Sequence, residues 1–364
     1  MTPLQTLVGT ELPIVQAPMA GVQGSALAVA VCNAGALGSL PCAMLSPETM
    51  RKELATLKAQ TIKPFNVNFF CHTPPTRSAA RESAWRAALA PFYKEFGLDI
   101  STIAEGVGRS PFSHAVADVL DEFRPAVVSF HFGLPSPELL GRVRAWGAKV
   151  LASATTVDEE RWLEARGVDA IIAQGLEAGG HRGMFLSEDV TTQVGTLALV
   201  PQIVGTVKVP VIVAGGIADA RGVRAAMALG AAGVQVGTAY LLCPEALTSS
   251  VHRAALKSAA AYRTALTNVF SGRPARGIVN RLMRELGPMS RTAPDFPLAG
   301  SAIAPLRAKP KARITGTSRR CGLARMPAAA RNCRPRSLRE SWPASSKTAH
   351  LQSVFARQVN LCRL

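Results

Sequence analysis

The chain has 364 residues, 48% of them hydrophobic and 18% charged, which excludes a disordered chain and leaves room for one large folded domain or two ordinary ones. Its net charge of +17 suggests nucleic acid until the charge is placed along the chain. From Arg307 onward there are fourteen Lys or Arg and a single acid, Glu340, whereas the first 306 residues carry 27 basic and 23 acidic groups. The body is close to neutral, so nucleic acid is not its expected partner. The tail is rich in Arg, Pro, Ala and Ser and has no sustained period. It fits a disordered basic arm, a nucleic-acid-binding tail or the out-of-frame end of a GC-rich gene, and composition favours the last.

At the N-terminus no basic segment precedes an apolar one, so no signal peptide is expected. Residues 12–47 are uncharged but are broken by Pro13, Pro18, Asn33 and Pro41. They read as strand, turn, helix and strand rather than as a membrane span. The seven cysteines lie far apart with no C-x-x-C, and Cys321, Cys333 and Cys362 fall in the tail. A disulfide framework or a metal site is therefore not expected, and a reducing, cytoplasmic setting is.

Short apolar runs then recur in order: "PIVQAPMA" (13–20), "ALGSLP" (36–41), "PFNVNFF" (64–70), "AVVSFHFG" (126–133), "KVLASA" (149–154), "AIIAQG" (170–175), "VPVIVAGG" (209–216) and "GVQVGTAYL" (233–241). Near-continuous apolar runs suit strands covered on both faces, hence a parallel sheet. Between them "TVDEERWLEARG" and "DARGVRAAMALGA" have helical spacing and end at glycine. Eight strands alternating with helices predict an α/β fold, the (β/α)8 TIM barrel. A doubly wound open sheet is the alternative, weakened because no G-x-G-x-x-G follows the first strand. The expected organisation is a barrel over 1–243 with a helical insertion at 71–123. A C-terminal helical segment follows at 244–306, then the basic tail at 307–364. One or both helical additions are expected over the C-terminal mouth.

In a barrel, chemistry sits at the C-terminal ends of the strands. Those ends carry Met19, Ala20 and Gly21, then Asn68, His131 and Gln174, then Gly179, Gly180 and His181, and finally Gly215, Gly216, Gly237 and Thr238. Paired glycines after the seventh strand leave bare main chain for an anion, or serve a tight turn. Asn68 and Gln174 would satisfy the edge of a planar heterocycle, or bond to neighbouring backbone. His181 follows two glycines, so it can face a flat ligand and work as a base when neutral or hold an anion when protonated. Arg182 either binds an anion or ties down the loop. His131 alone reads as a packed histidine, and His72 and His114 read as surface or insertion residues.

Together "QAPMAGVQGSALAVAVCNAGALGSL", "PFNVNFFCH", "SFHFGLP", "AQGLEAGGHRGMF" and "VPVIVAGGIADARGVRAAMALGAAGVQVGTAYL" resemble the nitronate monooxygenase family, over about residues 10–309. The resemblance implies a barrel holding FMN noncovalently, and oxidation of alkyl nitronates, such as propionate 3-nitronate, by O₂. It implies that Met19, Ala20 and Gly21 line the flavin and that Asn68 and Gln174 bond its rings. Gly179 and Gly180 would pass close to it, and Gly216, Gln235, Gly237 and Thr238 would surround its phosphate and ribityl chain. His181 matches the family's catalytic base and His131 a second active-site histidine. The partners implied are a small nitronate and O₂, without membrane or nucleic acid, and a homodimer is compatible. An FMN-dependent NAD(P)H:quinone or enoyl-acyl-carrier-protein reductase is the alternative, since such relatives share the barrel and an "EAGGH"-like loop. Where some relatives close the pocket with tyrosines, this chain has Phe296 and Ser301.

Overall fold

A computed structural model describes residues 1–103 and 109–308; the basic tail beyond them lies outside the described residues. Its strands are β1 (Ile14–Gln16), β2 (Gly38–Pro41), β3 (Phe65–Phe70), β4 (Val127–His131), β5 (Lys149–Ala154), β6 (Ala170–Gln174), β7 (Gly180–His181), β8 (Val211–Ala214), β9 (Gly233–Val236), β10 (Thr264–Thr267) and β11 (Ala275–Ile278). Eight of them form one parallel sheet in the order β1-β9-β8-β6-β5-β4-β3-β2. A bridge between Val15 and Leu37 joins β1 to β2 and closes the barrel. All eight predicted runs are barrel strands, and the α/β TIM barrel stands.

Strand alternation sorts the side chains into two sets. Val128, Phe130, Val150, Ala152, Ile171, Ala173, Val213 and Val234 face outward into the layer of surrounding helices. Val15, Leu37, Val127, Leu151, Ala170, Ile172 and Ile212 face inward, with Leu4 and Val8 from the helix Pro3–Val8 among them. That helix plugs the N-terminal mouth. Leu4 sits so close to β9 that a Cβ at Gly233 would come within 2.3 Å of it.

One step further along each strand the inward positions turn polar. In β3 and β4, Asn66 Nδ2 donates to Ser39 Oγ at 3.0 Å and to Ser129 Oγ at 2.9 Å, and Asn68 Nδ2 donates to Ser129 Oγ at 2.9 Å. Parallel register places Asn68 beside Ser129, Gln174 beside Ala214 and Ala214 beside Gln235. The barrel is thus apolar at its base and polar at its top.

The C-terminal mouth is covered by chain from both predicted additions. The helix Ala79–Glu95 packs on the helix Ala299–Ala308 around Trp85, Leu89, Phe92, Ile303 and Leu306. Trp85 Nε1 donates to the carbonyl of Ala299 at 3.2 Å, and Tyr93 Oη to that of Ala302 at 2.6 Å. Two boundaries change. The helix His114–Phe123, placed in the insertion, is the barrel's own crossover between β3 and β4. The segment 244–306 is not all helical: β10 and β11 form an antiparallel hairpin, and β11 pairs with β7. Pro274 and Gly277 within "FSGRPARGIVNRLMREL" break the helical pattern, which resumes only at Arg281–Leu286. No helix among the described residues is long and apolar enough to cross a membrane.

Candidate active site

The polar inward positions and the loops after the strands enclose one cavity at the C-terminal end of the barrel. Its wall includes Met19, Ala20, Asn68, His131, Gln174, Gly179, Gly180, His181, Gly216, Gln235, Gly237 and Thr238. Every residue that the sequence assigns to the cofactor or to catalysis is there except Gly21, which is exposed and turns the chain with φ +81°; Arg182 is not on the wall. Phe70, Ser153, Phe270 and Arg276 also line it. Ser153 was open to the same strand-end reading that found Asn68. Arg276 and Phe270 come from around the hairpin and gave no sequence signal.

The loop after β6 is held by hydrogen bonds rather than by packing. Gln174 Nε2 donates to the carbonyl of His181 at 3.0 Å, and its Oε1 accepts from Gly183 N at 2.7 Å. His131 Nε2 lies 3.3 Å from the same His181 carbonyl, which can only accept, so His131 carries its proton on Nε2. Both residues therefore fix the main chain at His181. Gly183 is needed for this closeness, because a Cβ there would lie 2.9 Å from His131 Cε1.

Arg182 is a loop anchor. Its side chain is fully buried and donates to Gln193 Oε1 at 2.8 Å, to the Gly175 carbonyl at 2.6 Å and to the Gln174 carbonyl at 2.6 Å. Gln193 in turn donates to Thr155 Oγ1 at 2.9 Å, whose hydroxyl donates to Glu159 Oε2 at 2.7 Å. The other oxygen of Glu159 accepts from Phe185 N at 2.6 Å. The loop is thereby tied to β5 and to the helix Val157–Glu164.

The His181 ring meets Ser271 through Nε2, 2.7 Å from the serine hydroxyl. Phe296, Phe132 and Phe70 surround it, with centroids 5.2, 5.9 and 6.3 Å away. Burial is the main reason its pKa is pushed down to about 3, with His131 and the Arg273 guanidinium adding to it. Burial, then Arg273, likewise push His131 down to about 3. His72 is not a surface residue. It is 4% exposed, stands edge-on to Phe296 at 4.8 Å and is lowered to about 4, by burial first and Arg273 second. Its place beside Phe132 and Phe296 depends on the cap folding back, which sequence spacing does not reveal. His114 is exposed, near Glu138.

Three rings held neutral make stability pH-dependent in a defined direction. The unfolded chain binds protons below about pH 6.5, whereas the folded rings refuse them until about pH 4 for His72 and about 3 for the other two. This stabilisation is complete above pH 6.5 and is lost as pH falls, each ring contributing a slope of up to about 1.4 kcal/mol per pH unit. Urea midpoints should drop between pH 7 and 5, and His72→Phe should flatten the drop. A midpoint constant over that range would contradict neutral burial of these rings.

Set beside known proteins, the chain matches the family model described as nitronate monooxygenase over residues 1–317. It is 45% identical over 309 residues to the nitronate monooxygenase of Pseudomonas aeruginosa, covering 84% of this chain and 88% of that one. It is 44% identical over 316 residues to the nitronate monooxygenase of Paraburkholderia phytofirmans, covering 85% of each. Its fold matches the crystal structure of nitroalkane oxidase from Streptomyces ansochromogenes with a TM-score of 0.80 and 36% identity, over 100% of this chain and 99% of that one. With that match over most of its length, and with the cavity lying where the shared motifs converge, the chain belongs to the nitronate monooxygenase family of oxidoreductases.

Proposed function

We propose that the protein oxidises alkyl nitronates, such as propionate 3-nitronate, with O₂ and with FMN held noncovalently in the barrel mouth. The observation that carries the reading is a neutral, ordered His181 on the wall of a glycine-lined cavity in a chain of this family.

The cavity suits a flat, phosphate-bearing group. Gln235 lines it and has a buried Oε1 without a hydrogen-bond partner among the described residues, an acceptor awaiting a donor. Gly215 and Gly216 have φ of +126° and +72°, and a Cβ at Gly215 would come within 2.8 Å of Thr196 Oγ1, so bare main chain is required there. Met19, Ala20, Gly179 and Gly180 would wall the ring system, with Asn68 and Gln174 at its polar edge. Gly216, Gln235, Gly237 and Thr238 would hold the phosphate and ribityl chain. When bound, FMN supplies the electron transfer that side chains cannot.

The protein's own part is binding, orientation and proton control. A nitronate arrives as an anion, and its charge beside His181 raises the proton affinity of the ring, favouring the form that holds the anion. A neutral nitroalkane must lose its α-proton first, and an unprotonated ring nitrogen of His181 is the base. Phe70, Phe132 and Phe296 pack around the ring and restrict its orientation.

Purified protein should be yellow, release FMN on denaturation and consume O₂ when propionate 3-nitronate is added without NAD(P)H. Rapid NADH oxidation with a quinone, and no nitronate-driven O₂ uptake, would instead establish the reductase reading. His181→Asn should depress nitroalkane turnover by about a hundredfold or more while sparing nitronate turnover far better. Equal losses on the two substrates would rule out His181 as the base.

A further inference from the structure

The hydrogen bond between His181 and Ser271 decides which ring nitrogen carries the proton. Ser271 is 1% exposed, and its hydroxyl has one hydrogen to place. The only acceptor within hydrogen-bond distance of that hydroxyl among the described residues is His181 Nε2, at 2.7 Å. If Nε2 carried the proton, the serine would accept and its own hydrogen would be left buried without a partner. That arrangement costs the desolvation of a hydroxyl with nothing in return. If Nε2 is bare, the serine donates and both the hydroxyl and Nε2 are satisfied. The neutral ring then carries its proton on Nδ1, which has no protein partner among the described residues and belongs to a residue on the cavity wall.

The pairing is rigidly presented. Ser271 N and Gly272 N both donate to the Asn268 carbonyl, at 3.2 and 2.7 Å. The Asn268 side chain bonds the Ser290 backbone in both directions, at 2.9 and 2.8 Å. From the other side, Gln174 and His131 fix the His181 main chain.

We propose that Ser271 is a positioning residue that holds His181 as its Nδ1–H tautomer, so that the resting site presents a hydrogen-bond donor to an anionic nitronate rather than a base to a neutral nitroalkane. This rests on the function proposed above and ranks the two roles assigned there to His181. A nitronate oxygen accepts from Nδ1–H directly, with no proton to move beforehand. A nitroalkane needs the ring proton transferred first to Nε2, which strands the serine hydrogen. Only then can Nδ1 take the α-proton: the C–H bond breaks, the N–H bond forms and the electron pair stays on the nitro-bearing carbon. Nitronate is therefore the preferred substrate by construction of the site.

The direct test is ¹⁵N NMR of histidine-labelled protein at pH 7.5, with the His181 signals assigned by their loss in His181→Asn. The expected result is Nδ1 protonated and Nε2 unprotonated. The reverse pattern overturns the proposal, whatever the protein turns over. In kinetics, Ser271→Ala should lower kcat/KM for propionate 3-nitronate about tenfold, the worth of one hydrogen bond at a charged group. It should not lower nitroalkane turnover in parallel, and Ser271→Thr should restore the nitronate rate. A parallel loss on both substrates overturns the positioning role. Failure of wild-type protein to consume O₂ with nitronate would defeat the functional reading while leaving the tautomer measurement to stand or fall on its own.

Discussion

One main-chain carbonyl, that of His181, accepts hydrogen bonds from two side chains on different strands, Gln174 and His131. The geometry of the site follows from that point. The loop after β6 contains Gly175, Gly179, Gly180 and Gly183, so it has few side chains with which to pack and much conformational entropy to lose. Polar contacts make up the difference. The neighbouring Arg182 places its buried guanidinium against the carbonyls of Gln174 and Gly175 and against Gln193. A buried guanidinium with this many acceptors is a strong anchor, because removing it strips a hydrogen bond from each of three oxygens in a low dielectric.

The barrel supplies what the loop lacks. Inward positions along β3, β4, β5, β6 and β9 end in Asn68, His131, Ser153, Gln174 and Gln235, a ring of polar groups above an apolar base. The cap completes the chamber from far along the chain. The hairpin of β10 and β11 pairs with Gly180 and His181 through β11, so strand pairing helps to hold the His181 loop and the cap together. Ser271 sits in the turn of that hairpin, which explains how a residue 90 positions from His181 reaches its ring.

Much of this was legible in the sequence, for physical reasons. Strands buried on both faces show as apolar runs, and a polar residue at the end of such a run has few explanations, which marks Asn68 and Gln174; His181 is marked by the two glycines before it, and His131 only by the family resemblance. From the sequence Arg182 fits either anion binding or anchoring; its burial against loop carbonyls shows the anchor. What stayed hidden depends on long-range closure. β7, β10 and β11 are two to four residues long and carry no alternating pattern. Ser271 and Arg276 read as ordinary turn and helix residues. His72, which reads from the sequence as a surface or insertion residue, is buried among Phe70, Phe132 and Phe296, the last brought over it from more than 200 positions along the chain. Gly21 matched a motif, yet it turns the chain outside the cavity wall.

Hydrogen bonding, with Arg182 as the buried anchor, holds the His181 loop in place. Amide hydrogen exchange reads this out, because Arg182 N bonds the Pro274 carbonyl, Gly183 N bonds Gln174 and Phe185 N bonds Glu159. In wild-type protein these amides should exchange about as slowly as those of β4 and β6. In Arg182→Met they should exchange far faster while the strand amides stay protected, reporting local opening of the loop in an intact barrel. Equally slow exchange in the variant would show that the loop is held without the Arg182 anchor.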